Sequence, residues 1–279
     1  MCIRDSPYVD AFWEWWPTLY PELEHFRMTG GEPLMDKNTY RVFDYVLENP
    51  SSKLHLNVTS NFSVELGLFN QYINKVKQLC DGRIEHFMQY VSLDSGIPTQ
   101  AEYIRHGLDY ARMSANVDRY LTEIPSHNSL TFIITMNNLS ITGLKRLLGW
   151  ILYLRRTHSQ TYQRVWFDTP VLREPAWQSL QIMPESYVVK LEEAKQFMLA
   201  HMEDPRYPHC GFKDYEVARL DRDIAWMRST QDQDHSVARA DFYRFFAEHD
   251  RRRSTNFLET FPEMRSWWAE CEYHAKNLL

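Results

Sequence analysis

His25-Phe26-Arg27-Met28-Thr29-Gly30-Gly31-Glu32-Pro33 is the stretch on which the reading of this chain turns. The residues up to Thr29 have the character of a short strand. The run then stops at two adjacent glycines, an acid and a proline. Paired glycines let the backbone take dihedrals closed to other residues and let a ligand come close. The Glu32 carboxylate and the exposed turn carbonyls offer acceptors for an ammonium group, and Pro33 stiffens the exit. A zwitterionic amino-acid moiety is the kind of ligand such a turn suits. Alone, a Gly-Gly-Glu-Pro sequence is only a turn; its place after a strand and before a helix raises the functional reading.

Outward from this turn, strand-like runs and helical patterns alternate. A helix with Tyr40, Phe43, Val46 and Leu47 on one face is stopped by Pro50. Leu54 to Thr59 alternates as a half-buried strand. Phe69, Tyr72, Ile73, Val76, Leu79 and Cys80 recur at helical spacing, and Asp81-Gly82 ends that helix. Glu85 to Leu93 reads as a third strand, and Ala101 to Ile124 as a helix in one or two pieces. Leu130 to Met136, rich in β-branched residues, is a fourth strand. Leu144, Leu147, Leu148, Ile151 and Leu152 mark the helix after it, and Arg164 to Leu172 is a fifth strand with Pro170 near its end.

Strands separated by helices imply right-handed βαβ units and a parallel sheet. The expectation is an α/β fold: a partial parallel β/α barrel over residues 7–175, with ligands at the C-terminal ends of the strands. Beyond about residue 175 helical patterns take over, at Val188 to Ala200, at Val217, Leu220, Ile224 and Met227, and at Asp241 to Asp250. Residues 176–279 are therefore expected to form an α-helical C-terminal lobe. Residues 1–6, Met1-Cys2-Ile3-Arg4-Asp5-Ser6, fit no element and read as a possibly foreign leader, which leaves Cys2 uninformative.

The 279 residues carry a net charge of −6, 44% hydrophobic residues and only nine glycines, so collagen-like and disordered classes are excluded. Nine Trp, sixteen Tyr and fifteen Phe supply aromatic surface, but without the basic groove that stacking on nucleic acid requires, no nucleic-acid partner is expected. Arg251-Arg252-Arg253 reads as a solvated helix end. Leu144 to Leu154, the most apolar stretch, is interrupted by Lys145 and Arg146, so no membrane span is expected. Cysteines at 2, 80, 210 and 271 are too far apart for a loop-borne metal motif and point to a reducing compartment, by default the cytoplasm.

Arg27-Met28-Thr29-Gly30-Gly31-Glu32-Pro33-Leu34-Met35 resembles the glycine-rich cofactor motif of the radical S-adenosylmethionine superfamily. The segments Asn57-Val58-Thr59-Ser60-Asn61 and Val91-Ser92-Leu93-Asp94-Ser95 resemble that superfamily's later strand signatures. The runs at 103–110, 116–125 and 254–263 resemble its twitch-domain subgroup. The resemblance extends from about residue 7 over nearly the whole chain and implies a barrel of the radical S-adenosylmethionine type. It implies a 4Fe-4S cluster, held by three cysteines, that reductively cleaves S-adenosylmethionine to a 5′-deoxyadenosyl radical for hydrogen abstraction from a substrate left open. A flavodoxin or ferredoxin reductant is implied with it.

Carried onto this chain, the resemblance sets Gly30, Gly31, Glu32 and Pro33 against the methionine ammonium. Ser60 and Asn61 become candidates for ribose or carboxylate contacts. Ser92 and Asp94 would face the same mouth, and Arg105 would meet a carboxylate. Asn137 and Arg173 close the last two strands as weaker candidates. Capping or turn formation is the competing role for every strand-end residue outside the glycine turn.

One departure stands out. The CxxxCxxC cluster motif that should precede the glycine turn is absent, and Cys210 and Cys271 are too few for an auxiliary cluster. No protein metal site is expected. The chain thus reads as a fragment of a radical S-adenosylmethionine enzyme, inactive as it stands. The alternative is a non-catalytic binding or scaffold protein on the same barrel.

Overall fold

A computed structural model describes residues 7–159, 161–204 and 206–278. The leader at 1–6, with Cys2, lies outside the described residues. Five parallel strands form one sheet in the order of the chain: β1 (His25–Met28), β2 (Ser51–Ser60), β3 (Ile84–Ser92), β4 (Ser129–Ile133) and β5 (Val165–Asp168). Between them run α2 (Lys37–Glu48), α3 (Leu66–Cys80), the pair α4 (Pro98–Ile104) and α5 (Tyr110–Glu123), and α6 (Leu144–His158); α1 (Pro7–Leu19) precedes β1. The α/β class, the parallel sheet and the split of the 101–124 segment agree with the sequence.

Sequential strand order with right-handed crossovers sends every helix to the same face of the sheet. The burial pattern records this. On β2, Leu54, Leu56 and Val58 are buried at 0–1% exposure, and they share one core with Val42, Phe43, Phe69, Tyr72 and Phe87. The alternate residues His55, Asn57 and Thr59 stay half-buried on the opposite, open face. The register His25↔His55↔His86 and Arg27↔Asn57↔Met88 continues this two-sidedness from β1 to β3. Parallel sheets are ordinarily covered on both faces, so an open one suits the wall of a partial α/β barrel.

β4 stops at Ile133, short of the predicted Met136. The Thr135 N–H goes to the Asp94 carboxylate at 2.8 Å, while the Ile134 and Met136 N–H groups still reach the carbonyls of Asp168 and Pro170 at 2.9 and 2.8 Å. A single bridge, Met136↔Val171, resumes the pairing. Gly96 and Gly143 bring the end of β3 against the start of α6, with the Gly96 N–H 3.2 Å from the Gly143 carbonyl. A Cβ on Gly96 would lie 2.2 Å from the Leu147 backbone nitrogen. Gly96→Ala is therefore expected to destabilise the fold by about 1–3 kcal/mol. Urea unfolding reads this, and a loss under about 0.5 kcal/mol would mean that the two segments are not in such close contact.

Past residue 175 the chain is helical, as expected. It contains α7 (Val188–Leu199), α8 (Asp214–Arg228), α9 (Ser236–Arg253), the short α10 (Phe257–Thr260) and α11 (Arg265–Asn277). α9 runs well beyond the predicted 241–250. It packs on α11 through Phe242 against Trp267, and on α10 through Phe242 and Phe246 against Phe257. α8 seals the outer edge of β5. The outward carbonyls of Val165, Phe167 and Thr169 accept from Arg155 Nε (2.9 Å), Arg219 Nη1 (2.9 Å) and Arg222 Nη2 (2.8 Å). An edge strand capped by three arginines has no backbone acceptors left to recruit another chain. Behind them, Arg155 and Glu216 form a fully buried ion pair, Nη2–Oε1 2.6 Å and Nη1–Oε2 3.1 Å. Among the described residues no helix is long and apolar enough to cross a membrane.

Candidate functional site

β1 delivers its last residues to the C-terminal edge of the sheet, where Gly30 and Gly31 take φ of +91° and +54°. A Cβ at either would meet nothing within 4 Å. The glycines are therefore required by backbone conformation rather than by space, and the turn stands open to a ligand. Pro33 is buried and begins a 3-10 turn over Pro33–Met35. Glu32 caps that turn by accepting from the Leu34 N–H at 3.1 Å.

The same carboxylate reaches the neighbouring strand. Ser60 Oγ donates to Glu32 Oε1 at 2.7 Å, and the Asn61 N–H lies 3.3 Å from Oε2. Ser60 Oγ in turn accepts from Phe62 N–H at 2.8 Å, and Asn61 Oδ1 from Ser63 N–H at 3.0 Å. Phe62 is held at φ +63° with its ring buried, and Asn116 Nδ2 donates to its carbonyl at 3.0 Å. The structure thus brings Gly30, Gly31, Glu32, Ser60 and Asn61 together at the ends of β1 and β2. It also gives Glu32 a second task, tying those ends to each other. Three donors occupy a group with room for about four, which leaves acceptor capacity on Oε2. Tyr40, whose hydroxyl donates to the Leu34 carbonyl at 2.8 Å, has its phenol pushed up to about 12, first by burial and then by the Glu32 charge.

Asp94 and Arg105 form a second cluster at the ends of β3 and β4. Asp94 is 3% exposed. Its Oδ1 accepts from Arg105 Nη2 at 3.0 Å and from the Thr135 N–H, while Arg105 Nε lies 2.8 Å from Oδ2 as an ion pair without hydrogen-bond alignment. Burial pushes the Asp94 carboxyl up, and the guanidinium and the Thr135 amide oppose it. The carboxylate that Arg105 meets is thus the chain's own. Ser92, the last residue of β3, is half-buried on the open face in register with Ile133. Asn137 is buried in a turn, donating to the Thr135 carbonyl at 2.8 Å and accepting from the Leu139 N–H at 2.9 Å. Arg173 lies over the Trp226 ring at 5.3 Å. Both therefore have structural partners.

Sequence reasoning passed over the open face below the turn, although the alternation within 54–59 and 85–93 marked it. His25 stacks on His55 with ring centroids 4.7 Å apart, and His86 follows at 5.8 Å. His86 Nε2 is 3.1 Å from Ser129 Oγ. Burial, then the neighbouring His55 and His127, lowers the His86 pKa, with Glu85 opposing. One row nearer the turn, the Arg27 guanidinium lies over the Tyr90 ring at 4.1 Å.

The described cysteines do not fit an iron–sulfur cluster. Among the described residues no three His, Cys, Asp or Glu side chains are grouped to hold a metal ion. Cys80, Cys210 and Cys271 are free and buried on separate elements. Burial pushes the Cys80 thiol up to about 12 and raises that of Cys271 as well, so both stay protonated rather than becoming thiolate ligands. Cys210 Sγ lies 3.1 Å from the Arg155 carbonyl. Compared with known protein families the chain matches no family model, and compared with curated proteins it matches none.

Proposed function

We propose that this chain is the S-adenosylmethionine-binding portion of a radical S-adenosylmethionine enzyme, holding the amino-acid end of the cofactor at the Gly30–Gly31 turn. The observation that carries the reading is the diglycine turn itself. It is open and left-handed, set at the C-terminal end of a parallel strand, and locked through Glu32 to Ser60 and Asn61 on the next strand. Ligands of parallel α/β sheets gather at that end of the strands.

The turn carbonyls and the spare acceptor position of Glu32 receive the ammonium, and Ser60 and Asn61 hold the far wall. Ser92 lines the floor, and the Asp94–Arg105 pair braces β3 against β4. Bound there, S-adenosylmethionine supplies a cleavable sulfonium, while the chain's own residues bind and orient it. No electron transfer is assigned to this chain, because its described cysteines do not suit a cluster.

Isothermal titration calorimetry tests the reading. S-adenosylmethionine is expected to bind the unaltered chain, and Glu32→Ala to weaken it at least about tenfold, or about 1.4 kcal/mol. Glu32→Gln keeps one oxygen, enough for Ser60 and Leu34 but not for the Asn61 N–H, and should hold the fold while losing part of the affinity. Equal affinity in all three proteins would remove the assignment. The buried, scattered cysteines favour a second reading, a non-catalytic binding module on the same scaffold. A chain that fails to bind S-adenosylmethionine would shift the balance to it.

A further inference from the structure

Arg27 stands on the open face two positions before Thr29, and its guanidinium is held in place without being neutralised. Nε donates to Thr59 Oγ1 at 3.1 Å, and the group lies over Tyr90, 4.1 Å from the ring centroid. Among the described residues no carboxylate pairs with it. The N–H groups of both terminal nitrogens are left for an acceptor from outside the chain. A guanidinium fixed by stacking and one hydrogen bond loses less freedom on binding than a free side chain, so it is prepared for a fork-shaped partner.

The surrounding charge points the same way. The chain as a whole carries −6, yet the open-face positions of β1, β2 and β3 contain no acid. They hold His25 and Arg27, then Lys53 and His55, then His86. The acid at the far side of the sheet, Asp168, is already paired with Arg219 at 3.3 Å. With Arg27 and Lys53 as its formal charges and no acid among these positions, the face presents no local repulsion to an anion on an otherwise acidic protein.

We propose that this face binds the anionic group, carboxylate or phosphate, of a small-molecule substrate, with Arg27 as its anchor and Tyr90 and Thr59 as the residues that position Arg27. The substrate's remainder would extend toward Met88 and Ser92, beneath the diglycine turn. The assignment of this ligand as substrate rests on the cofactor reading above; the anion site itself does not.

The test uses inorganic phosphate as the probe, followed by 31P line broadening at constant ionic strength, alongside calorimetry with S-adenosylmethionine. Phosphate is expected to bind the unaltered chain. Arg27→Gln should weaken it at least about tenfold, and Arg27→Lys, which keeps charge but loses the fork and the stacking, about threefold. Tyr90→Leu, with the arginine intact but unsupported, should fall between the unaltered chain and Arg27→Gln. Arg27 is exposed, so melting temperatures should hold, and S-adenosylmethionine affinity should stay within about twofold in Arg27→Gln. Phosphate binding that is absent from the unaltered chain, or indifferent to Arg27, overturns the proposal. So does a loss of S-adenosylmethionine affinity in Arg27→Gln as large as the loss for phosphate, since Arg27 would then serve the cofactor's own carboxylate. If phosphate depends on Arg27 while S-adenosylmethionine binds no version of the chain, the anion site stands and the cofactor reading is the part that fails.

Discussion

Arg155→Met is expected to lower the unfolding free energy by about 3–5 kcal/mol, because it leaves the Glu216 carboxylate charged and unpaired in the interior. Both side chains are fully buried, and they meet through two contacts of 2.6 and 3.1 Å. The melting temperature should drop by something on the order of 10 °C for a chain of this size. The double replacement Arg155→Met/Glu216→Leu removes both charges and should recover much of the loss. Recovery will be incomplete, since two backbone groups lose side-chain partners: the Val165 carbonyl, which accepts from Arg155 Nε, and the Lys213 N–H, which donates to Glu216 at 3.0 Å. At about 1 kcal/mol each, these leave the double variant roughly 2 kcal/mol below the unaltered chain. Urea unfolding decides the matter. A single variant within 1 kcal/mol of the original would show that water reaches the pair. Separate melting of the helical region in the unaltered chain would show that α8 is not clamped to α6.

Much of the sheet was legible because each strand carries its own evidence. The two-residue period in Leu54 to Thr59 matches the burial of Leu54, Leu56 and Val58 against His55, Asn57 and Thr59. The helix at Phe69 to Cys80 buries every residue that its spacing marked. The misplaced boundaries have different causes. Pro170 has no N–H to give β4, a break visible in the sequence, whereas the Thr135 amide goes to the distant Asp94 carboxylate. Local pattern holds no record of such long-range hydrogen bonds. The same holds for the far tail, where α9 and α11 gain their length from packing on each other rather than from strongly amphipathic sequences.

The site was legible where glycine forced it and obscure where function depends on partners. Gly30 and Gly31 announce a left-handed turn, and both adopt it. Ser60, Asn61 and Asp94 could be named as strand-end residues, yet nothing in their order reveals that Ser60 donates to Glu32 while Asp94 turns to Arg105. Arg27 lies just before the diglycine turn, where an arginine in a short strand reads as an ordinary exposed residue. Its meaning comes from Tyr90 and Thr59, which stand on other strands and meet it only through the register of the sheet.

Trp16→Ala is expected to cost about 3–5 kcal/mol, the usual range for emptying a buried aromatic site. Trp16 is 1% exposed and lies within ring contact of Phe12, Trp13, Tyr20, Phe26 and Tyr45, from 4.9 Å at Phe26 to 6.0 Å at Tyr45. It joins three elements, α1, β1 and α2, of which β1 has a single strand partner. The contact of β1 with α1 therefore matters more than it would for a central strand. Trp16→Phe should behave differently. The indole Nε1 is buried without a hydrogen-bond partner, so phenylalanine keeps most ring contacts and removes an unsatisfied donor worth about 1–3 kcal/mol. The two terms nearly cancel, and the variant should unfold within about 1 kcal/mol of the original. Because β1 leads into the Gly30–Gly31 turn, Trp16→Ala should also weaken S-adenosylmethionine binding, whereas Trp16→Phe should leave it unchanged. Equal urea midpoints for Trp16→Ala and the unaltered chain would mean that α1 is not seated on the sheet in solution, and the turn would then have to be held by Glu32 alone.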